Sequence, residues 1–188
     1  MSTAQVKKSE HNRGIEARKA IEKIVVNAGV GRAGQQPGFE EKGLVQIIRD
    51  LELLAGQHPQ VRRSKRSIAG FKMREGQIVG VRATLRDRKM VDFFERLVRI
   101  VLPRVHDFRG VNLGSVDAGG TLNIGFQEQF VFPEVNPEES PLTFSLGVNL
   151  VPKRKNREAA IEAYRAMGVP LTTEAQVAKK KTKKSRRK

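Results

Sequence analysis

The chain has no cysteine and no tryptophan, a single tyrosine, and only 5% aromatic residues. Without thiols there are no disulfides and no thiolate metal sites, so a cystine-stapled secreted domain is excluded. No apolar run approaches the roughly 18 residues needed to span a bilayer, and no signal-peptide pattern opens the sequence. A soluble cytosolic protein with no membrane partner is the expectation. The three histidines, His11, His58 and His106, are far apart and form no paired metal-ligand motif. Carboxylates such as Asp92, Glu95, Asp107, Asp117, Glu128 and Glu134 have basic neighbours and no motif linking them to a histidine or nucleophile, and no serine sits in a GxSxG turn. The residues therefore offer little to an enzyme and call for no cofactor, metal or small-molecule substrate.

What is abundant is positive charge. Lys and Arg number 36 against 20 Asp and Glu, a formal net charge of +16 on 188 residues. Such an excess is the footprint of a chain that neutralises phosphates. Much of it is concentrated in two places. Val61 to Arg74 (VRRSKRSIAGFKMR) holds six basic residues and no acid, with Phe71 among them. This pattern suits phosphate contacts with a stacking ring, or equally a solvated basic hairpin whose phenylalanine tucks into the core. Lys179 to Lys188 has eight Lys or Arg in ten residues: Lys179, Lys180, Lys181, Lys183, Lys184, Arg186, Arg187 and Lys188. Self-repulsion and the lack of apolar residues predict a disordered tail that orders on a polyanion, or one that only solubilises.

Between the polar ends lies one domain's worth of patterned sequence. The boundaries read as an N-terminal arm over 1–20, helical towards its end from Ile15, a folded domain over 21–170, and a basic tail over 171–188. Ile24 to Ala28 reads as a β-branched strand closed by Gly29. Glu40 to Ala55 places Leu44, Ile47, Ile48, Leu51 and Leu54 at helical spacing, with Gly56 as its stop. Gln60 to Arg74 reads as a basic connector, partly extended, and Ile78 to Leu85 as an alternating strand. Asp87 is the expected cap of a strongly amphipathic helix over Met90 to Leu102, which ends near Pro103. Two extended pieces follow at Leu122 to Phe126 and Gln129 to Phe132. Leu142 to Leu150 alternates strictly, with Thr143, Ser145, Gly147 and Asn149 sharing one side, and a last helix covers Asn156 to Met167 before Gly168.

Strands with one polar face among helices with one apolar stripe predict an α+β fold, a mainly antiparallel sheet covered by helices on one side. Parity puts Asn27, Arg82, Thr84, Thr143, Ser145 and Asn149 on the uncovered face, as a solvated surface or a nucleic-acid platform. Gly29, Gly31 and Gly34 match GxGxxG, the dinucleotide fingerprint. However, Pro37 and Gly38 separate the glycines from the helix, and no acidic residue closes a second parallel strand, so a tight turn is the preferred reading.

Four colinear segments carry a family resemblance: KIVVNAGVG at Lys23 to Gly31, AGQHPQVRRSKRSIAGFKMREG at Ala55 to Gly76, MVDFFERLVRIVLPRVHDFRG at Met90 to Gly110, and EQFVFPEV at Glu128 to Val135. The chain resembles the bacterial-type large-ribosomal-subunit protein five family from about Glu22 to Met167. That resemblance implies an RNA-recognition-motif-like α+β domain, no catalysis, and residence on the cytoplasmic ribosome. It implies binding of 5S ribosomal RNA through Asn27, Gln57 and Thr84, and attachment of that RNA to 23S ribosomal RNA among the other proteins of the central protuberance. It assigns a loop of Arg62, Arg63, Lys65, Arg66, Ser67, Phe71, Lys72 and Arg74 to 23S RNA and the P-site transfer RNA. It gives Pro133 to Pro141 a bridge to a small-subunit head protein. Two departures stand out. Met1 to Arg13 lacks the family's opening apolar stripe, and its DGxGNY stretch reads Asp117-Ala118-Gly119-Gly120-Thr121-Leu122 here. The basic tail looks like an addition that threads into ribosomal RNA.

Overall fold

The computed structural model describes residues 16–31, 38–71 and 73–172. His11, Gly34, Lys72 and the whole Lys179 to Lys188 tract lie outside these residues, as does the region of the missing N-terminal stripe.

Residues 16–20 are helical and run directly into β1 (Ile21–Gly29). The first long helix, α1 (Leu44–Ala55), is entered through a π-turn over Phe39–Gly43. It ends on Gly56, whose φ of 63° is available to glycine without steric cost. An edge strand β2 (Gln60–Arg63) and β3 (Ile78–Leu85) then form a long-looped hairpin. Helix α2 (Asp87–Arg96) continues through a π-turn at Leu97–Val101 into Leu102–Arg104. Pro103 has no N–H to contribute to a regular α-helical ladder, and the wider turn immediately before it accommodates that loss. β4 (Leu122–Phe126), β5 (Leu146–Pro152) and α3 (Arg157–Ala166) complete the domain.

All neighbouring strands are antiparallel, in the order β2-β3-β1-β5-β4. Period-two alternation sorts their side chains. Ile24, Val26 and Ala28, then Val81, Ala83 and Leu85, then Leu146, Val148 and Leu150, are buried on one side against the helices. Onto this face α1 brings Ile47, Leu51 and Leu54, α2 brings Met90, Phe93 and Phe94, the π-turn after it brings Leu97, and α3 brings Ala160 and Tyr164. Burial of these side chains contributes roughly 1.5–3 kcal/mol for each large one, the main drive to this arrangement.

Several sequence expectations need correction. Asp87 is not a cap: it is already in the helix with φ of 52°, the preceding Arg86 is the cap residue, and no side chain caps that end. The extended piece expected over Gln129 to Phe132 is a 3₁₀ turn at Gln129–Val131 followed by the extended residue Phe132, not a strand. The last strand begins at Leu146, so Thr143 and Ser145 precede the sheet instead of lying on its open face. Here the ladder is replaced by a side chain: Gln129, fully buried, donates to Leu142 O (2.7 Å) and accepts from Phe144 N (2.9 Å). The dinucleotide fingerprint, which the sequence already disfavours, has no βαβ unit to sit in, because β1 is antiparallel to both of its neighbours. After α3 the chain returns to pair with Val111 through Pro170 O and Thr172 N, so the packed region extends to Thr172.

The altered Asp117–Leu122 stretch is a tight turn with a structural task. Asp117 Oδ1 accepts from Thr121 N at 2.7 Å, and Gly120 adopts φ of 82°. The Tyr164 hydroxyl, deep in the core, shares its one proton between Gly120 O (2.9 Å) and Leu150 O (3.1 Å). Burial raises its pKa well above the usual tyrosine value, so it remains a neutral donor. A Cβ at Gly120 would stand 2.8 Å from the Ala160 Cβ and 3.0 Å from Asn156 O. Gly120→Ala is therefore expected to destabilise the domain by about 2–4 kcal/mol, from left-handed strain plus overpacking. A urea titration with an unmoved midpoint would contradict this.

Candidate nucleic-acid interface

The face of the sheet away from the helices is best followed in rows across the strands. One row runs Gln60, Arg82, Asn27, Gly147, Gly125 from β2 to β4. The next runs Thr84, Val25, Asn149, Asn123. Above the first lie Arg62, Gly80 and Gly29, and below the second lie Lys23 and Val151. No position in these rows is a carboxylate. The central members Asn27, Arg82, Thr84 and Asn149 are half-buried by neighbouring side chains, and none is covered by a described helix.

Asn27, Gln57 and Thr84, the trio implied by the resemblance, come together here. Asn27 and Thr84 sit on adjacent strands, one row apart. Gln57, just past the end of α1, donates its amide Nε2 to Thr84 O at 2.9 Å. Uncharged amides and hydroxyls can hydrogen-bond sugar and base edges without the desolvation penalty of a buried charge. On the β4 side, Asn149 Nδ2 donates to Asn123 Oδ1 at 2.5 Å, extending the amide surface to the edge. Gln60, Asn123 and Gly125 were missed as face residues by sequence reasoning. The alternation within Leu122 to Phe126 carried the signal for Asn123 and Gly125.

The basic segment is a hairpin loop folded on itself. Ser64 N donates to Gln77 O and Gly76 N to Ser64 O, while Ile68 and Met73 pair by two backbone bonds. Two of its expected contact residues serve this internal structure: Arg63 Nη1 donates to Gly76 O (3.0 Å), and Ser67 Oγ accepts from Glu75 N (3.0 Å). Arg62, Lys65, Arg66 and Arg74 are exposed. Phe71 is 71% exposed and does not tuck into the core, and Ile68 is exposed beside it in the sequence. The loop thus presents cations and a ring on the side of the molecule where the sheet face is most basic.

Pro133 to Pro141 is fixed at both ends. Arg96 joins Glu134 in a close ion pair and donates to Leu54 O at 3.1 Å. The buried Ser140 hydroxyl donates to the buried Asp50 carboxylate and accepts from Gln46 Nε2 at 2.5 Å. Between these anchors an exposed tip, Asn136 to Glu139, carries two carboxylates. Of the histidines, His58 lies 3.3 Å from Glu52 and His106 lies 3.4 Å from Asp107, both at the surface.

Comparison with known proteins agrees with this architecture. Residues 18–74 match the family model described as ribosomal protein L5, and residues 78–171 match the model for the C-terminus of the same ribosomal family. The large ribosomal subunit protein uL5 of Rubrobacter xylanophilus is 44% identical over 151 residues, covering 80% of this chain and 82% of the relative. That of Heliobacterium modesticaldum is 43% identical over 154 residues, covering 82% and 83%. That of Syntrophomonas wolfei is 42% identical over 151 residues, covering 80% and 83%. The chain belongs to the uL5 family.

As a uL5 protein it is a structural constituent of the large ribosomal subunit, working in translation on ribosomal RNA, in the cytoplasm. It is not an enzyme. The two family matches divide the molecule between the basic loop and β3. The N-terminal one holds β1, α1, β2 and most of the loop, and the C-terminal one holds everything from β3 to Leu171. The uL5 sheet face draws on both, since Asn27 and Gln57 come from the first and Thr84 from the second. The Lys179 to Lys188 tract lies beyond both matches.

Proposed function

We propose that the helix-free sheet face is the surface by which this uL5 protein holds 5S ribosomal RNA and, with 23S ribosomal RNA, attaches it in the central protuberance. The observation that carries this reading is the convergence of Asn27, Gln57 and Thr84 on a face whose paired strand positions hold no carboxylate, Glu22 at the β1 register shift being tied to Lys23. Folded RNA lying there meets donors and acceptors at its centre and cations at the β2–β3 edge, an order suited to base and sugar contacts flanked by phosphate contacts.

The exposed cations of the basic loop, Arg62, Lys65, Arg66 and Arg74 together with Lys72, reach 23S RNA and approach the P-site transfer RNA. Phe71 supplies a ring on which a base can stack. Arg63 and Ser67 shape the loop as well as facing RNA. The acidic tip between Pro133 and Pro141, held rigid by Arg96 and Asp50, meets a basic protein of the small-subunit head. The Lys/Arg tail, with Lys179, Lys180, Lys181, Lys183, Lys184, Arg186, Arg187 and Lys188, adds phosphate contacts along ribosomal RNA.

Asn27→Ala and Thr84→Ala are each expected to weaken 5S RNA binding about tenfold, the loss of one or two net hydrogen bonds, with the fold intact. Filter-binding titrations read this directly. Unchanged affinity for both variants, with unchanged thermal midpoints, would remove the sheet face from the RNA site.

A further inference from the structure

Gly147 stands beside Asn27 in the central row of the open face, and its backbone does not explain why it is glycine. It lies within β5 and is absent from the left-handed glycines, so any L-residue could adopt its conformation. A Cβ built on it would stand 2.7 Å from Asn27 Oδ1, 3.1 Å from Asn27 Nδ2 and 3.2 Å from Asn27 Cγ. All three nearest atoms belong to that one amide. The Asn27 side chain therefore lies across the strand boundary, over the space a side chain at 147 would fill. Beyond it, Gly125 faces Gly147 on β4, and a Cβ there would meet nothing within 4 Å. On the other flank Asn27 has Arg82.

We propose that Gly147 is a positioning residue for RNA recognition: its missing side chain turns the Asn27 amide towards β5, over a floor open enough for an RNA strand to approach. This rests on the sheet face being the 5S RNA surface and assigns the direction in which its central amide is aimed. The asymmetry of the row suggests the division of labour. Phosphates go to Arg82, and the uncharged side, Asn27 over Gly147 and Gly125, takes a sugar or base edge, which an amide can meet as donor and acceptor. Side chains occupy discrete staggered wells, so a methyl at 147 removes the well Asn27 now occupies and does not merely nudge it. Because the atoms in the way are the far end of a side chain, the fold absorbs the change. Gly80 is the contrast, since its Cβ would strike Ala28 O, a backbone atom, at 2.9 Å.

The test is a double-mutant cycle on 5S RNA binding with the full chain, with thermal midpoints followed in parallel. Gly147→Ala and Asn27→Ala are each expected to lose about tenfold in affinity. The Asn27→Ala/Gly147→Ala double variant is expected to bind as Asn27→Ala alone does, since no amide remains to be misdirected. A general structural defect at Gly147 would instead persist in the double variant and multiply the two losses, which would overturn the proposal. So would a Gly147→Ala protein that binds normally while Asn27→Ala is weakened. If Asn27→Ala itself binds normally, Asn27 does not hold the RNA and the role of Gly147 fails with it, while Thr84→Ala still tests the sheet face as a whole.

Discussion

Gln129→Leu is expected to lower the unfolding free energy by about 2–5 kcal/mol, among the largest single-residue effects outside the hydrophobic core. Gln129 is 0% exposed and lies in a 3₁₀ turn, with its amide inserted between two backbone groups of a neighbouring segment. Its Nε2 satisfies Leu142 O and its Oε1 satisfies Phe144 N. Leucine fills similar volume but leaves the buried Phe144 N–H and the part-buried Leu142 carbonyl without that partner, and an unmet buried group costs about 1–3 kcal/mol. Among the described residues, only a 3.5 Å approach from Gln46 Nε2 remains at Leu142 O. Urea unfolding with a slope like that of the parent protein measures the loss cleanly. A change under about 1 kcal/mol would mean that water replaces the amide. The effect should extend to function, because Gln129, Ser140 and Asp50 together hold the segment bearing the acidic tip against α1.

That same place marks where the sequence stopped being legible. Alternation from Leu142 to Leu150 is real in three dimensions: Phe144 is buried while Thr143 and Ser145 are exposed. Period two reports which side of an extended chain faces the core and says nothing of what satisfies its backbone. Where a ladder was expected, a glutamine from a distant turn stands in. Asp87 failed for a related reason. Its type and position suit a cap, but the chain turns into α2 one residue earlier, and Asp87 takes a left-handed conformation that aspartate tolerates better than most. The one-sided sheet, by contrast, was readable because β5 buries a complete parity set and β1 and β3 do so from Ile24 and Val81 onward, although at the start of β3 it is Ile78 and not Val79 that is buried. Of the site, Asn27, Gln57 and Thr84 were assigned through the family resemblance, and parity independently placed Asn27 and Thr84 on the open face. Parity also set Gly147 on the polar side of its strand, but nothing local told that it would lie beside Asn27. Strand order decides which residues share a row, and for the same reason Gln60 was not found, whereas Asn123 and Gly125 were legible in the local alternation of β4.

Deleting Lys179 to Lys188 is expected to produce the largest change in RNA affinity, visible as a change in salt dependence. If six of its eight cations meet phosphates, the slope of log K against log salt falls in magnitude by about 4–5, at roughly 0.7–0.9 per contact. Between about 50 and 200 mM salt, the tail's contribution to affinity would itself shrink by roughly 10²–10³-fold. Point variants on the folded domain supply the controls. Arg62→Ala should reduce the slope by about one. Asn27→Ala should lower affinity at every salt concentration and leave the slope alone, because an amide releases no counterion. The three outcomes separate charge that merely recruits RNA from groups that fix its orientation. An identical slope after the deletion would mean that the tail touches no phosphate, leaving the sheet face and the loop to carry the attachment of RNA alone.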